Sequence, residues 1–500
     1  MKRPGLSIHL IAIGGSGMAP LACLLKGRGH RVTGSDGPLY PPMSSLLAEA
    51  GIVPFEGYDP SRLEPAPDLV VVGNAVTRHN PEAVEAERRG LPVLSMPQAL
   101  ARFFLAERRP LVVAGTHGKT TTTALAAWVL EDCGAEPGFL VGGLPRNLPV
   151  SFREGRGERF VIEGDEYNAA YFDRGPKFLH YRPETLILTS AEHDHADLYP
   201  RHEDLLAAYG RLVELVPADG LAVVDGDSPE VRRLAERARS RVLFYGLGAG
   251  NDLAPAGPIE PVRETAVAGR SGSRFRIVDP EAGEVEVVLP MAGAYNVANA
   301  LAVWAAVRRD GLPAEAVAAS LGRFAGVARR QEELGSPGGV TVVDDFAHHP
   351  TAVAETLAGL RQRYAGSPLA VLFEPRSLTA GRSFFFDRYV EAFAAADRVL
   401  FAPIFYAERF AAAELLDLPR LAAELRRRGV EASVAPGIDE LLDHAVVSAE
   451  PGDVLVCMSS GSFGAVPRRL LAALEARAEA GGRSEAGAAA ADRAAVPADA

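Results

Sequence analysis

The sequence predicts an α/β protein made of several doubly wound domains, and three observations carry that prediction. Short apolar runs alternate with helical patterns along almost the whole chain. At its centre, Leu111-Val112-Val113-Ala114, a glycine-bearing turn and an apolar helical stretch at 124–130 make a strand–turn–helix unit. Similar units stand near the N-terminus and again beyond residue 340. Such alternation is the pattern of parallel sheets joined by crossover helices. The chain has 500 residues, 48% of them hydrophobic, enough for large cores. With roughly 150 residues per domain as a guide, it divides into 1–106, 107–325 and 326–477, with a tail at 478–500.

In the first part, a strand over 7–13 ends at Gly14-Gly15-Ser16-Gly17-Met18, and a helix follows to about residue 27. A second strand, 31–34, ends at Ser35-Asp36. A glycine turn after the first strand and an acid after the second open a Rossmann-like sheet. The turn suits a pyrophosphate on a helix N-terminus, and both NAD and a UDP-sugar remain open. Further strands are expected at 69–72 and 93–94.

The central part opens on Gly115-Thr116-His117-Gly118-Lys119-Thr120-Thr121. Glycines let backbone N–H groups converge on a phosphate, the helix start favours anions, and Lys119 reaches outer phosphates. Thr120 offers a hydroxyl to Mg²⁺. The loop is a shortened variant of the P-loop, because the place of its first glycine is taken by Val113. A strand at 160–162 ends in Glu163-Gly164-Asp165-Glu166, and one at 185–189 leads to Glu192-His193-Asp194-His195. Mg²⁺ takes few protein oxygens beside those of phosphate. Glu163 is therefore the first expected metal ligand, and His195 a partner at a second metal or at the phosphate. A solvated acidic loop is the plainer alternative. Residues 221–290 read as β-rich. A long Ala-rich helix then carries Asn296 and Asn299 on one face, either to read an adenine edge or to cap the helix.

In the last part, Arg329-Arg330 precede a strand at 340–343 that ends in Asp344-Asp345-Phe346-Ala347-His348-His349. A strand at 370–373 ends at Glu374-Pro375-Arg376, and others are expected at 399–401 and 454–457. From about 478 the sequence has no apolar periodicity and is expected to be disordered.

The net charge of −12 argues against nucleic-acid binding. Cys23, Cys133 and Cys457 show no disulfide or zinc spacing. No apolar run reaches the roughly 18–20 residues of a membrane span. The N-terminus lacks a convincing leader, so a cytoplasmic location is expected.

Several motifs together resemble the Mur ligase family over about residues 6–475: GTHGKTTT at 115–122, IHLIAIGGSGM followed by VTGSD, YPPMSSLLAEAG at 40–51, VIEGDEYNAAYFDRGPKFLHYRPETLIL at 161–188, DDFAHHPTAV at 344–353, FEPRS and GSFG. The resemblance implies a UDP-substrate domain, a central P-loop ATPase domain and a Rossmann-like C-terminal domain that binds the acceptor. It implies ATP and Mg²⁺, an acyl phosphate on UDP-N-acetylmuramate, and attack by an amine. Within the family the motifs are most similar to the branch that salvages the tripeptide L-Ala-γ-D-Glu-meso-diaminopimelate in peptidoglycan recycling. The branch that adds L-alanine is the alternative, with an NAD-linked oxidoreductase or an idle UDP-sugar binder as readings of another class. Carried over by motif, Lys119, Glu163 and His195 are catalytic, and Thr120, Glu163 and His195 hold metal. Gly115 to Thr121, Asn296, Asn299, Arg330, Asp345 and His348 serve ATP. Gly14, Ser16, Gly17, Ser35, Asp36 and Asn80 serve the UDP substrate, and Arg376 the acceptor. Two departures stand out: residues 196–216 hold no lysine for the metal-bridging carbamate of some members, and Tyr295 replaces the usual histidine before Asn296.

Overall fold

The computed structural model describes residues 5–267, 269–411 and 413–494, with 481–494 described by backbone alone. The chain forms two compact units. The first comprises residues up to 194, 198–291 and 295–327, and the second comprises 195–197, 292–294 and the chain from 328 onward.

The first unit begins with β1 (Ser7–Ile11), α1 (Met18–Gly27), β2 (Arg31–Asp36), α2 (Met43–Glu49), β3 (Phe55–Glu56), β4 (Leu69–Val72), α3 (Pro81–Arg88), β5 (Val93–Ser95) and α4 (Met96–Leu100). The strands form a parallel sheet in the order β3-β2-β1-β4-β5. The order turns at β1, so the glycine turn after it opens at the switch point where α/β sheets take ligands.

The same unit continues with β6 (Arg109–Ala114), α5 (Lys119–Asp132), β7 (Gly138–Leu140), β8 (Phe152–Arg153), β9 (Arg159–Gly164), β10 (Asn168–Ala170), β11 (Asp173–Pro176) and β12 (Thr185–Leu188). Then come α6 (His202–Glu214), β13 (Leu221–Asp225), α7 (Pro229–Ala235), β14 (Arg241–Tyr245), β15 (Glu260–Val262), β16 (Gly272–Asp279), β17 (Gly283–Leu289), α8 (Ala294–Arg308) and α9 (Ala314–Leu321). The main sheet runs β14-β13-β12-β6-β9-β7-β8, parallel except for β8. In β6 the period of two sends Val112 and Ala114 to one face, with Phe160, Ile162 and Leu186, and Leu111 and Val113 to the other, with α5 and α8. Burial on both faces explains why these strands read as unbroken apolar runs. The β-rich expectation for 221–290 needs correction. Helix α7 interrupts it, capped by Ser228 and started by Pro229, a start signal that glycine and proline elsewhere in the stretch obscured. The remainder comprises β13 and β14 of the main sheet and the antiparallel β15-β16-β17 sheet.

The second unit holds β18 (Glu332–Gly335), β19 (Thr341–Asp345), α10 (Pro350–Arg363), β20 (Leu369–Phe373), α11 (Phe386–Ala392), β21 (Arg398–Phe401), α12 (Leu418–Arg427), β22 (Glu431–Val434), α13 (Ile438–Ser448), β23 (Val454–Met458) and α14 (Val466–Ala494). Its sheet runs β18-β19-β23-β20-β21-β22, parallel except for β18. Val371, Phe373, Val399 and Val456 pack under α10–α12, while Leu372, Leu400 and Leu455 pack under α13 and α14. The tail expected to lack structure from 478 has a helical backbone to Ala494, in keeping with the helix propensity of its alanines; residues 495–500 lie outside the described residues. No helix among the described residues is long and apolar enough to cross a membrane.

Candidate functional site

The phosphate loop leaves β6 at the carboxyl edge of its sheet. Ala114 pairs with Leu188 of β12 on one side and with Gly164 of β9 on the other, so three strand ends are level there. Gly115 has φ 131° and Gly118 φ 76°, both in the region that favours glycine. A Cβ on Gly115 would lie 2.3 Å from Thr189 Oγ1, and one on Gly118 would lie 2.9 Å from Asn299 Oδ1. The loop is braced from β12: Ser190 Oγ accepts from His117 N (2.9 Å), and Thr189 Oγ1 donates to the His117 carbonyl (2.5 Å). Thr116 Oγ1 donates to the Glu192 carbonyl (2.9 Å). His117 Nε2 stands 3.6 Å from Glu192 Oε1.

Helix α5 then presents Lys119 and Thr120. Lys119 Nζ donates to the carbonyls of Gly115 (2.5 Å) and Thr116 (3.2 Å) and to Glu166 Oε1 (3.1 Å), a carboxylate only 1% exposed. Thr120 Oγ1 donates to Glu163 Oε1 at 3.0 Å, and Gly142 N donates to Glu163 Oε2 at 2.9 Å. A Cβ at Gly142 would lie 2.6 Å from that oxygen, so a glycine lets the backbone reach the carboxylate. Thr120 and Glu163 thus bring a hydroxyl and a hard anionic oxygen together beside the phosphate loop, the donor set of a Mg²⁺ site. Asn296 and Asn299 lie inside α8, 1% and 6% exposed, rather than at its cap. Asn299 Nδ2 is buried without a hydrogen-bond partner among the described residues, and its amide flanks Gly118. A buried unused donor over a glycine cradle fits a nucleotide phosphate or base. Asp165 and Lys177 pair at 3.0 Å beside this loop.

In the N-terminal sheet, Gly14 N donates to Asp36 Oδ2 (2.7 Å), and Tyr58 Oη donates to Asp36 Oδ1 (3.1 Å). Burial first, then the Asp36 charge, push the Tyr58 hydroxyl up to about 12, so it remains a donor. Gly14 and Asp36 line a cavity of about 420 Å³, with Tyr40, Met43 and Tyr58. Ser16 is exposed, and it and Gly17 lie outside that lining. Two expected substrate residues are differently engaged. Ser35 is fully buried and donates to Glu82, because strand period two turns it inward between Gly34 and Asp36. Asn80 caps α3, its Oδ1 accepting from Glu82 N (3.0 Å) and Ala83 N (3.2 Å).

In the second unit, Asp345 is buried and accepts from Gln331 N and Ala347 N, each at 2.7 Å. Burial raises its pKa, and the Arg330 charge opposes that rise. Arg330 lies 4.7 Å over the Phe346 ring, and His348 Nδ1 is 3.0 Å from the Phe346 carbonyl. Arg376 stacks on Phe405 at 3.8 Å. His195 has φ 52° and belongs to the second unit, with 195–197, whereas Glu163 belongs to the first. Its neighbour Ala196 donates to Thr379 Oγ1 (3.2 Å). Sequence reading passed over Glu166, Gly142 and Tyr58. Glu166 had a signal, an acid three residues after Glu163, but Gly142 and Tyr58 had none, since their partners lie 21 and 22 residues away.

A glycine turn that feeds a lysine and a threonine into a helix, with a carboxylate from the adjacent strand on that threonine, defines a phosphate-loop nucleotide-binding protein. Three family models match this chain: Mur ligase family, catalytic domain, at residues 7–108; Mur ligase middle domain at 113–307; and Mur ligase, glutamate ligase domain, at 329–461. The chain belongs to the Mur ligase family. It is 38% identical, over 95% of its length and 100% of the relative's, to the UDP-N-acetylmuramate–L-alanyl-γ-D-glutamyl-meso-2,6-diaminoheptandioate ligase of Escherichia coli. It is 32% identical, over 94% of its length and 97% of the relative's, to the UDP-N-acetylmuramate–L-alanine ligase of Carboxydothermus hydrogenoformans. Among solved structures it is similar to a murein peptide ligase from Psychrobacter arcticus, with TM-score 0.68, 33% identity, and coverage of 94% of this chain and 99% of that one. The oxidoreductase reading of the first glycine turn gives way to this family membership.

Proposed function

We propose that this chain is an ATP-dependent ligase that joins UDP-N-acetylmuramate to L-Ala-γ-D-Glu-meso-diaminopimelate through an acyl phosphate, in the cytoplasm and for peptidoglycan recycling. The observation that carries the ligase reading is the meeting of Thr120, Glu163 and Gly142 beside Lys119. The acceptor is supported by the full-length likeness to the tripeptide ligase. ATP supplies the phosphoryl group that activates the muramoyl carboxylate. Thr120 and Glu163 would hold Mg²⁺, with His195 as a further ligand. Lys119 leaves its loop carbonyls and neutralises the outer phosphates, and the amides from Gly115 to Thr121 orient them. Bringing a carboxylate up to a phosphate gathers like charges, so positioned cations are the main catalytic requirement. Asn296 and Asn299 hold the nucleotide, as do Arg330, Asp345 and His348 from the C-terminal domain. Gly14 and Asp36 border the UDP-substrate cleft, with Ser16 and Gly17 on the adjacent turn. The domain limits we assign are 1–106, 107–325 and 326–477. The test is phosphate release with ATP, Mg²⁺ and UDP-N-acetylmuramate. Release that depends on the tripeptide, with a muramoyl-tripeptide product, is expected. Release with L-alanine alone moves the chain to the alanine-adding branch, and none with either acceptor makes it an idle binder.

A further inference from the structure

The carboxyl edge of the second unit's sheet carries two arginines displayed on aromatic rings. Strands β20 and β21 are parallel neighbours, with Phe373 level with Phe401. The loops that leave them are therefore side by side, at the edge where open α/β sheets take ligands. The loop after β20 carries Arg376, and the loop after β21 carries Phe405, Tyr406 and Arg409. The two loops are tied by Phe405 N, which donates to the Pro375 carbonyl at 3.2 Å. The Arg376 guanidinium lies 3.8 Å above the Phe405 ring. Phe405 meets Tyr406 edge to face at 4.7 Å, and Arg409 lies 4.6 Å over Tyr406.

Guanidinium, ring, ring, guanidinium thus form one continuous chain of cation–π and edge-to-face contacts. A cation–π contact restrains each guanidinium over its ring and consumes none of its N–H donors, which stay available to an anion. Among the described residues Arg376 and Arg409 make no hydrogen bond. Their ion-pair partners stand beyond hydrogen-bond distance, Glu374 at 3.7 Å from Arg376 and Glu408 at 4.0 Å from Arg409. Glu374 is also engaged, since it accepts from Ser459 Oγ at 2.5 Å. Structural arginines of this chain are different: Arg308 spends its fork on Asp279 at 2.8 and 2.9 Å and on Glu281 at 2.8 Å. Arg382, nearby, does make a hydrogen bond, to the Leu378 carbonyl at 3.2 Å. Phe405 stays 45% exposed, although a ring of that size is usually covered.

We infer that Arg376 and Arg409, on the Phe405–Tyr406 platform, read two carboxylates of a peptide acceptor and so select an acceptor with several carboxylates over a free amino acid. This inference rests on the proposed ligase reading and deepens it. An amino acid with one carboxylate engages one fork at most. A peptide ending in diaminopimelate offers a carboxylate to each fork, and each charge-assisted bidentate pair adds affinity and fixes orientation.

The experiment is calorimetric titration of the full chain, with UDP-N-acetylmuramate and a non-hydrolysable ATP analogue present. The titrants are the tripeptide and its analogue with diaminopimelate carboxamides. The wild type is expected to bind the acid about ten-fold or more tightly than the amide, the worth of one or two charged hydrogen bonds. Arg409→Gln should lose most of that preference and leave the ATP analogue's affinity unchanged. Tyr406→Ala, which keeps both charges but removes one ring, should lose part of it. Equal binding of acid and amide by the wild type, no peptide binding, an equal loss for both titrants in Arg409→Gln, or a loss on the ATP analogue instead would each overturn the platform. The ligase reading fails separately, if bound tripeptide yields no phosphate when ATP replaces the analogue.

Discussion

Lys119 has three N–H donors, and all three are in use, two on its own loop and one on Glu166. The ammonium is thus held beside the phosphate loop and exchanges its carbonyl partners for phosphate oxygens when the nucleotide arrives. Lys119→Ala should lower tripeptide-dependent phosphate release about 100-fold or more, the order expected for losing one preorganised charge-stabilising donor. UDP-N-acetylmuramate binding, measured by calorimetry, should remain. A second residue is informative through pH. Asp225, at the end of β13, has its carboxyl pushed from 3.8 up to about 6 by burial first and by Asp227, despite the backbone bond from Asp227 N. Between those values the folded chain holds a proton that the unfolded chain has lost. Stability from this group is therefore full below about pH 4 and declines as pH rises through 6. Asp225→Asn should raise the Tm at pH 7.5, by the equivalent of about 3 kcal/mol, and change it little at pH 4. Thermal melts at the two pH values check the sign.

At the scale of elements, the sheet that carries the phosphate loop is pinned at its opposite edge by one buried cation. Arg159 opens β9 and is 4% exposed, and it bridges Asp310, which follows α8, and Glu184, which precedes β12. Burial would raise the Glu184 pKa, but Arg159, Arg109 and Arg309 together hold it below the usual range. Arg159→Ala removes the buried member of this cluster and leaves Glu184 and Asp310 bridged only by the more exposed Arg109. It should cost about 3 kcal/mol, read as a shifted urea midpoint. Strands were legible in the sequence wherever both faces are buried, as in β4 and β6, because the apolar run itself is the signal. Helix α7 was not, since its capping serine and first-turn proline sit in a stretch where glycine and proline mark turns.

At the scale of the molecule, helices of the N-terminal part share a core with the central part: Leu21 and Leu25 of α1 and Leu100 of α4 fall in one cluster with Phe178, Tyr181 and Leu186. Tyr171 on the β10–β11 hairpin donates to Glu87 of α3 at 2.5 Å, and Arg28 bonds both Glu154 and the Phe103 carbonyl. A fragment of residues 1–327 should therefore unfold in one cooperative transition, whereas 1–106 alone should expose apolar surface and bind a hydrophobic dye. Coincident circular dichroism and calorimetric melts of the longer fragment are the check. The sequence by itself determined the alternation of strands and helices, the phosphate loop with Lys119 and Thr120, and the family. Those features are local: a turn needs its glycines, and a helix start needs its neighbours, within a few residues. Only the tertiary structure decided which acid meets Thr120, that Glu166 holds Lys119, and that Asn299 flanks Gly118. It also decided that Ser35 bonds Glu82 and that Asn80 caps α3. Those choices depend on strand order and on which side of a strand faces in, and partners 43 or 47 residues apart meet only once the sheet has closed between them.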